Sequence, residues 1–152
     1  MNFYLVRHGE AVSASENPQR PLSSEGRRAV MQIARLARER QVQVSAIYHS
    51  GILRAQQTAE ILSEYLAPPA GVAAISGLLP EDDPAIGQAH LEASDRSIML
   101  VGHLPYMRRL AALLVNGDAE RTVVDFAPSD LICCSKESLQ WRISWHITQP
   151  PQ

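Results

Sequence analysis

The chain has 152 residues, of which 45% are hydrophobic and 20% charged, and its formal net charge is -2. That length and balance predict one globular domain over residues 1–152, large enough to bury most of its apolar surface on folding. They exclude a disordered polyelectrolyte and a broadly basic face for nucleic acid or anionic membrane, so any anion site must be local.

In chain order, the first signal is the apolar run Asn2 to Val6, which reads as a buried strand. It breaks off in Arg7, His8, Gly9 and Glu10, as a strand does when it delivers reactive side chains to the carboxyl edge of a sheet. The run is too short for a signal peptide or a membrane span, and no later segment is long enough. Residues 11–21 are polar, with Asn17-Pro18 and Arg20-Pro21 as breakers, and predict a loop that shapes a site. Ser23 or Ser24 caps the helix that follows, and Ala29, Val30, Ile33, Ala34 and Ala37 give it an apolar face. Its other face carries Arg27, Arg28, Arg35, Arg38 and Arg40, which we read as solvated rather than as a partner surface.

Val42 to Tyr48 predicts a second strand, with His49-Ser50-Gly51 as the turn after it. The next helix places Ala55, Ala59, Leu62 and Leu66 on one face and stops at Pro68-Pro69. Arg54 falls in its opening turn, where free amides and the positive dipole end favour an anion and a guanidinium adds a bidentate donor. Val72 to Ile75 is a weaker strand, followed by an acidic loop at residues 79–84 containing Glu81, Asp82 and Asp83. Arg96 to His103 then repeats the opening arrangement: a continuous apolar run ending in a glycine and an imidazole. Pro105 opens a helix whose apolar face is Met107, Leu110, Ala111, Leu114 and Val115, ending near Asn116-Gly117. Val123 to Phe126, Leu131 to Ser135 and Leu139 to Ile147 predict strands. The last alternates strictly, a hairpin runs through Lys136-Glu137-Ser138, and residues 149–152 form a polar tail. Together these predict an α/β fold, a three-layer arrangement of a mixed, mostly parallel sheet with helices on both faces.

Cys133 and Cys134 are adjacent and cannot close the usual disulfide loop, which fits a reducing, cytoplasmic setting. The five histidines are scattered, with neither CxxC nor HExxH spacing, so no metal ligands and no cofactor are expected. His49 reads as structural, and His90 and His146 as surface positions.

Three motifs carry a resemblance. Arg7-His8-Gly9 ends the first strand, Ser50-x-x-x-Arg54-Ala55-x-Gln57-Thr58-Ala59 opens the second helix, and Gly102-His103-x-Pro105 follows a later strand. In this order the chain resembles the histidine phosphatase, or phosphoglycerate mutase-like, superfamily. Arg20-Pro21-Leu22-Ser23 and the short length further resemble its SixA-type phosphohistidine phosphatases. The resemblance implies the phosphoglycerate mutase-like fold and a metal-independent phosphatase in which His8 becomes phosphohistidine. It makes His8, His103, Arg7 and Arg54 the catalytic set, with Gly9, Arg20 and Ser50 as further substrate contacts. The expected substrate is phosphohistidine in a signalling or phosphotransfer protein, such as a phosphotransfer domain or carrier, with phosphate ion as product. Nucleic acid and membrane are not expected partners. A small-molecule monoester phosphatase or mutase, or a non-catalytic phosphate-binding regulatory module, are the competing expectations.

The chemistry is consistent on its own terms. Phosphoryl transfer needs an in-line nucleophile and fixed positive charge around the non-bridging oxygens. Neutral imidazole is a competent nucleophile near pH 7. Expelling an alkoxide needs an acid, for which Glu81, Asp82, Asp83 and Glu10 are the candidates, whereas an imidazole nitrogen departs more readily. A neutral His8 beside a protonated His103 predicts environments that push the two pKa values apart.

Overall fold

The computed structural model describes residues 1–149, so part of the expected polar tail, residues 150–152, lies outside the described residues. The first strand, β1 (Asn2–Arg7), sits in the interior of a six-stranded sheet. After it come α1 (Ser24–Glu39), β2 (Ala46–His49), α2 (Leu53–Leu66), β3 (Val72–Ala74), α3 (Pro84–Ala93) and β4 (Ile98–Gly102). The chain closes with α4 (Tyr106–Asn116), β5 (Leu131–Glu137) and β6 (Gln140–Ile147). The sheet order is β3-β2-β4-β1-β5-β6; the first four strands run parallel and the closing hairpin is antiparallel. This is the predicted mixed, mostly parallel sheet.

The sheet is sandwiched because its central strands are apolar on both sides. Tyr4, Val6, Met99 and Val101 face one core with α1 and α2. Leu5, Ile98 and Leu100 face a second core with α3 and α4. The helix periodicity translates directly: Ala29, Val30, Ile33, Ala34 and Ala37 of α1 are all buried, and so are Met107, Leu110, Ala111 and Leu114 of α4. Ser23 is the residue that caps α1, its hydroxyl accepting from the Gly26 amide. Gly117 ends α4 in the left-handed conformation that favours glycine. Of the basic face of α1, Arg38 lies over the Tyr65 ring and Arg40 over the Trp145 ring, so two of its arginines are packing stems as well as surface charge.

Several expectations need correction. The second strand begins at Ala46, not Val42; Val42 and Val44 are buried as chain that turns out of α1, with the Val42 amide bonded to Ala37 O. Helix α3 lies where the sequence pattern predicts no helix, because only Pro84, Gly87 and Leu91 are buried on it and that spacing is too sparse to read as a stripe. Asp83 caps it and Pro84 occupies its first turn, both helix-start signals. Val123 to Phe126 is not a strand; it is irregular chain whose Phe126 side chain is buried. The hairpin turns at Ser138 and Leu139, both with positive φ, and Leu139 is 94% exposed rather than part of the inward row. A bulge opposite Cys133 and Cys134 also breaks the alternation of β6, so Trp141 and Ile143 face one core while Trp145 and Ile147 face the other.

One close approach governs the geometry after β1. A Cβ on Gly26 would stand 2.0 Å from the Glu10 carbonyl oxygen, a backbone atom that cannot rotate away. Helix propensity alone would favour Gly26→Ala by roughly 0.5–1 kcal/mol. The clash wins: we expect a net loss of about 1–3 kcal/mol, the usual cost of overpacking. Thermal unfolding checks it, at about 2–4 °C per kcal/mol for a chain of this size, and an unchanged or raised melting temperature would refute it.

Candidate functional site

In parallel α/β sheets, ligands bind beyond the carboxyl ends of two neighbouring strands whose following helices lie on opposite faces. Here those strands are β1 and β4, because α1 packs on one face and α4 on the other. Arg7 is in register with Gly102, and the His8 amide donates to Gly102 O at 2.9 Å. The residues after the pair, His8 and His103, therefore emerge side by side, with ring centroids 4.9 Å apart and planes tilted by 56°.

The two imidazoles are held differently. His8 Nδ1–H donates to Gly9 O at 2.7 Å, which fixes the tautomer and leaves Nε2 as the free, unprotonated nitrogen. His103 is 1% exposed; its Nε2 shares a 2.6 Å hydrogen bond with Ser50 Oγ, and its Nδ1 is buried without a partner among the described residues. Ser50 Oγ also accepts from the Ile52 amide at the start of α2. No side chain caps that helix, and Arg54 stands in its first turn.

Three guanidiniums surround the pair. Arg54 lies near enough to lower the pKa of both histidines, while Arg7 and Arg20 act on His8. Among the described residues none of the three forms a salt bridge, and the Nε atoms of Arg7 and Arg54 are buried without partners. Burial, opposed by the Gly9 bond and reinforced by Arg54, Arg7 and Arg20, pushes His8 down to about 4. Burial, then His8 and Arg54, pushes His103 down to about 3. The expected divergence of the two pKa values is thus not present in the free site: both rings are neutral at pH 7, because burial acts on both and all neighbouring charge is positive.

The supporting loop is tied down by residues of the second motif. Gly9 donates its amide to Thr58 Oγ1, Thr58 donates onward to Arg54 O, and Leu22 donates to Gln57 Oε1. Gln57 and Thr58 are therefore fasteners for the chain on either side of the 11–21 loop, a role that spacing alone does not disclose. A Cβ on Gly9 would meet Val30 Cγ2 at 2.6 Å, so close packing of α1 is what demands glycine here. Arg20 enters from that loop with φ +49°, its Nε bonded to Val12 O. His49 is buried and accepts from the Gly51 amide, a structural duty. His90 and His146 are both exposed, and His146 Nε2–H also donates to the buried Asp130.

The candidate acids do not join the cluster. Asp83 is committed as the α3 cap, Asp82 accepts from the Leu79 amide, Glu10 accepts from the Ser23 hydroxyl, and Glu81 is exposed. Among the described residues no carboxylate hydrogen-bonds either His8 or His103. Asp82 shares with Ser50 a cleft of about 620 Å³ that is also lined by Ile75, Leu79 and Ile86.

Known proteins match this arrangement. The family model of the Histidine phosphatase superfamily (branch 1) matches residues 3–74, which hold His8, Arg20 and Arg54. An uncharacterized protein of Picosynechococcus sp. is 33% identical over 125 residues, covering 77% of this chain and 74% of its own. The chain belongs to the histidine phosphatase superfamily. Within the superfamily, it is 28% identical to the phosphohistidine phosphatase SixA of Escherichia coli K12 over 123 residues, covering 78% of this chain and 76% of SixA. A solved structure of the protein histidine phosphatase SixA complexed with tungstate superposes with a TM-score of 0.85 at 26% identity, covering 97% of both chains. SixA of Agrobacterium tumefaciens, at 22% identity, has the same fold with a TM-score of 0.81 and 98% of both chains covered. The fold is therefore the phosphoglycerate mutase-like one. Among the described residues no helix is long and apolar enough to cross a membrane.

Proposed function

We propose that the chain is a metal-independent phosphatase that removes the phosphoryl group from phosphohistidine in another protein, through a phosphohistidine intermediate on His8. The observation that carries this reading is the neutral His8 ring, its Nδ1 fixed on Gly9 O and its Nε2 free, set among three guanidiniums without carboxylate partners. Such a cluster is short of negative charge, and a phosphoryl group supplies it. SixA holds tungstate, a tetrahedral oxyanion, which supports the same chemistry here.

His8 Nε2 attacks phosphorus; the new N–P bond forms as the bond to the substrate imidazole breaks, and that nitrogen keeps the bonding electron pair. Arg7, Arg54 and Arg20 balance the charge on the three non-bridging oxygens. The entering dianion also reverses the local field, which raises the pKa of His103 and lets it donate to an oxygen. Water then attacks phosphorus, His8 leaves with its electron pair restored, and phosphate departs. An imidazole leaving group suits a site whose nearby carboxylates are occupied as a cap, a turn acceptor and a hydroxyl partner. Short connections over the site, three residues each between β2 and α2 and between β4 and α4, leave room for a macromolecular substrate.

A substrate comparison tests the assignment. With a phosphohistidine-bearing carrier protein and a sugar phosphate ester offered separately, kcat/KM should favour the carrier by at least about 10²-fold, the range that placed general-acid help gives an alkoxide leaving group. Faster hydrolysis of the ester would overturn the phosphohistidine assignment and favour a small-molecule phosphatase. Binding of the carrier without turnover would favour a regulatory module.

A further inference from the structure

Behind the arginine cluster, the irregular residues 126–130 are fastened to the end of β1. Arg7 Nη1–H donates to Phe126 O at 2.8 Å, and the Arg7 amide donates to Asp130 O at 3.1 Å. The Ser129 amide donates to Arg7 O and His8 O, at 3.1 and 3.2 Å. The loop thus holds both the side chain of Arg7 and the peptide that carries His8.

What keeps the loop in this shape is one buried carboxylate. Asp130 is 2% exposed, and its Oδ2 accepts from the Ala127 amide at 2.9 Å and from His146 Nε2–H at 2.8 Å. The Asp130 amide returns a bond to Ala127 O at 3.1 Å, which closes the turn next to Phe126. His146 reaches it from β6, so the last strand braces the loop that braces the first. Asp130 Oδ1 and Arg7 Nε are both buried without a partner among the described residues. Burial lowers the pKa of Arg7, and the charges of Asp125 and Asp130 offset part of that effect. A buried carboxylate with an unused oxygen costs free energy that the fold must gain back, which marks Asp130 as more than a loop filler.

We propose that Asp130, tethered by His146, is a positioning residue that orients the Arg7 guanidinium toward the phosphoryl oxygens through the Phe126 carbonyl and the 126–130 turn. A guanidinium grips an oxyanion bidentately only in one plane, and the Phe126 contact fixes that plane by occupying one Nη. The proposal rests on the reading that Arg7 holds phosphate.

A double-mutant cycle read out by inorganic phosphate affinity tests it, with thermal unfolding followed in parallel. Asp130→Ala should weaken phosphate binding about 10-fold in the native background and leave it unchanged when Arg7 is already alanine, the non-additivity expected of residues acting as one unit. Asp130→Asn, which keeps an acceptor for Ala127 and His146, should recover most of the affinity. His146→Ala, on an exposed strand position, should give a smaller loss of about 3-fold that also vanishes without Arg7, and it carries the cycle where Asp130→Ala does not fold. Equal losses with and without Arg7 would overturn the proposal and make Asp130 a purely structural residue. If Arg7→Ala alone left phosphate affinity intact, the reading of Arg7 itself would fall, an outcome separable from additivity.

Discussion

Replacing His8 by alanine is expected to lower phosphate release from a phosphohistidine carrier by at least about 10³-fold, while the arginine cluster continues to bind phosphate. Among the described residues the His8 ring makes one hydrogen bond, to Gly9 O, and it is neutral at pH 7, so its removal breaks no ion pair and should cost little stability. What is lost is the free Nε2 and with it the covalent route; residual turnover would come from water attacking in the pre-arranged field of the cluster. Acid-labile label on His8 in the native protein, and none in His8→Ala, is the accompanying signature. Full turnover by the variant would remove the covalent mechanism from consideration.

The second large effect is Arg54→Ala, expected to lower kcat by about 10²–10³-fold, the range seen when one donor to a developing oxyanion is deleted. It should also move the pH profile, and the sign is determined. His8 is pushed down to about 4, first by burial and then by the guanidiniums after the Gly9 bond is allowed for. With the neutral ring as the proposed nucleophile, kcat/KM of the native protein is expected to hold from neutrality downward and to fall as pH drops through about 4, not through the ordinary histidine value near 6.5. Deleting Arg54 removes one repulsive charge and raises the His8 pKa. The acid limb therefore shifts upward, yet stops short of 6.5 because burial, the larger cause, remains. Arg54→Lys keeps the charge and loses the planar fork, so it should hold the limb in place while losing part of the rate. An identical acid limb in native enzyme and Arg54→Ala would show that Arg54 does not act on His8.

Much of this site was legible because strand ends are simple to read. The runs before Arg7-His8 and Gly102-His103 are apolar enough to be central strands, and parallel strands place their carboxyl ends on one edge. Arg54 was visible for a related reason, since Pro68-Pro69 and the apolar spacing fix where α2 must lie. What sequence did not disclose were contacts between segments far apart in the chain. The Phe126 carbonyl that orients Arg7 and the Asp130–His146 pair span 119 and 16 residues, and irregular chain has no period to announce them. The same gap explains the false strand at Val123 to Phe126: a short apolar cluster with β-branched residues cannot declare whether it pairs with a neighbour or simply buries Phe126. Helix α3 was lost for the opposite reason. Its tight fit relies on Gly87, where a Cβ would stand 2.6 Å from the Tyr106 hydroxyl that accepts from the Gly87 amide, and a glycine contributes nothing to an apolar stripe. The two histidine pKa values do not diverge in the free site because burial, the largest cause for each, depresses both rings alike.

The bulge in β6 also has an optical consequence. It sends the chain's two tryptophans to opposite sides of the sheet, Trp145 against Tyr4 and Trp141 against Phe3. Each helical layer thus carries its own intrinsic fluorophore, anchored on adjacent residues of the strand that leads to His8. Two single-tryptophan versions of the protein would report the melting of the α1–α2 layer and of the α3–α4 layer separately, so the cooperativity between the layers that clamp the histidine pair is open to direct spectroscopic measurement.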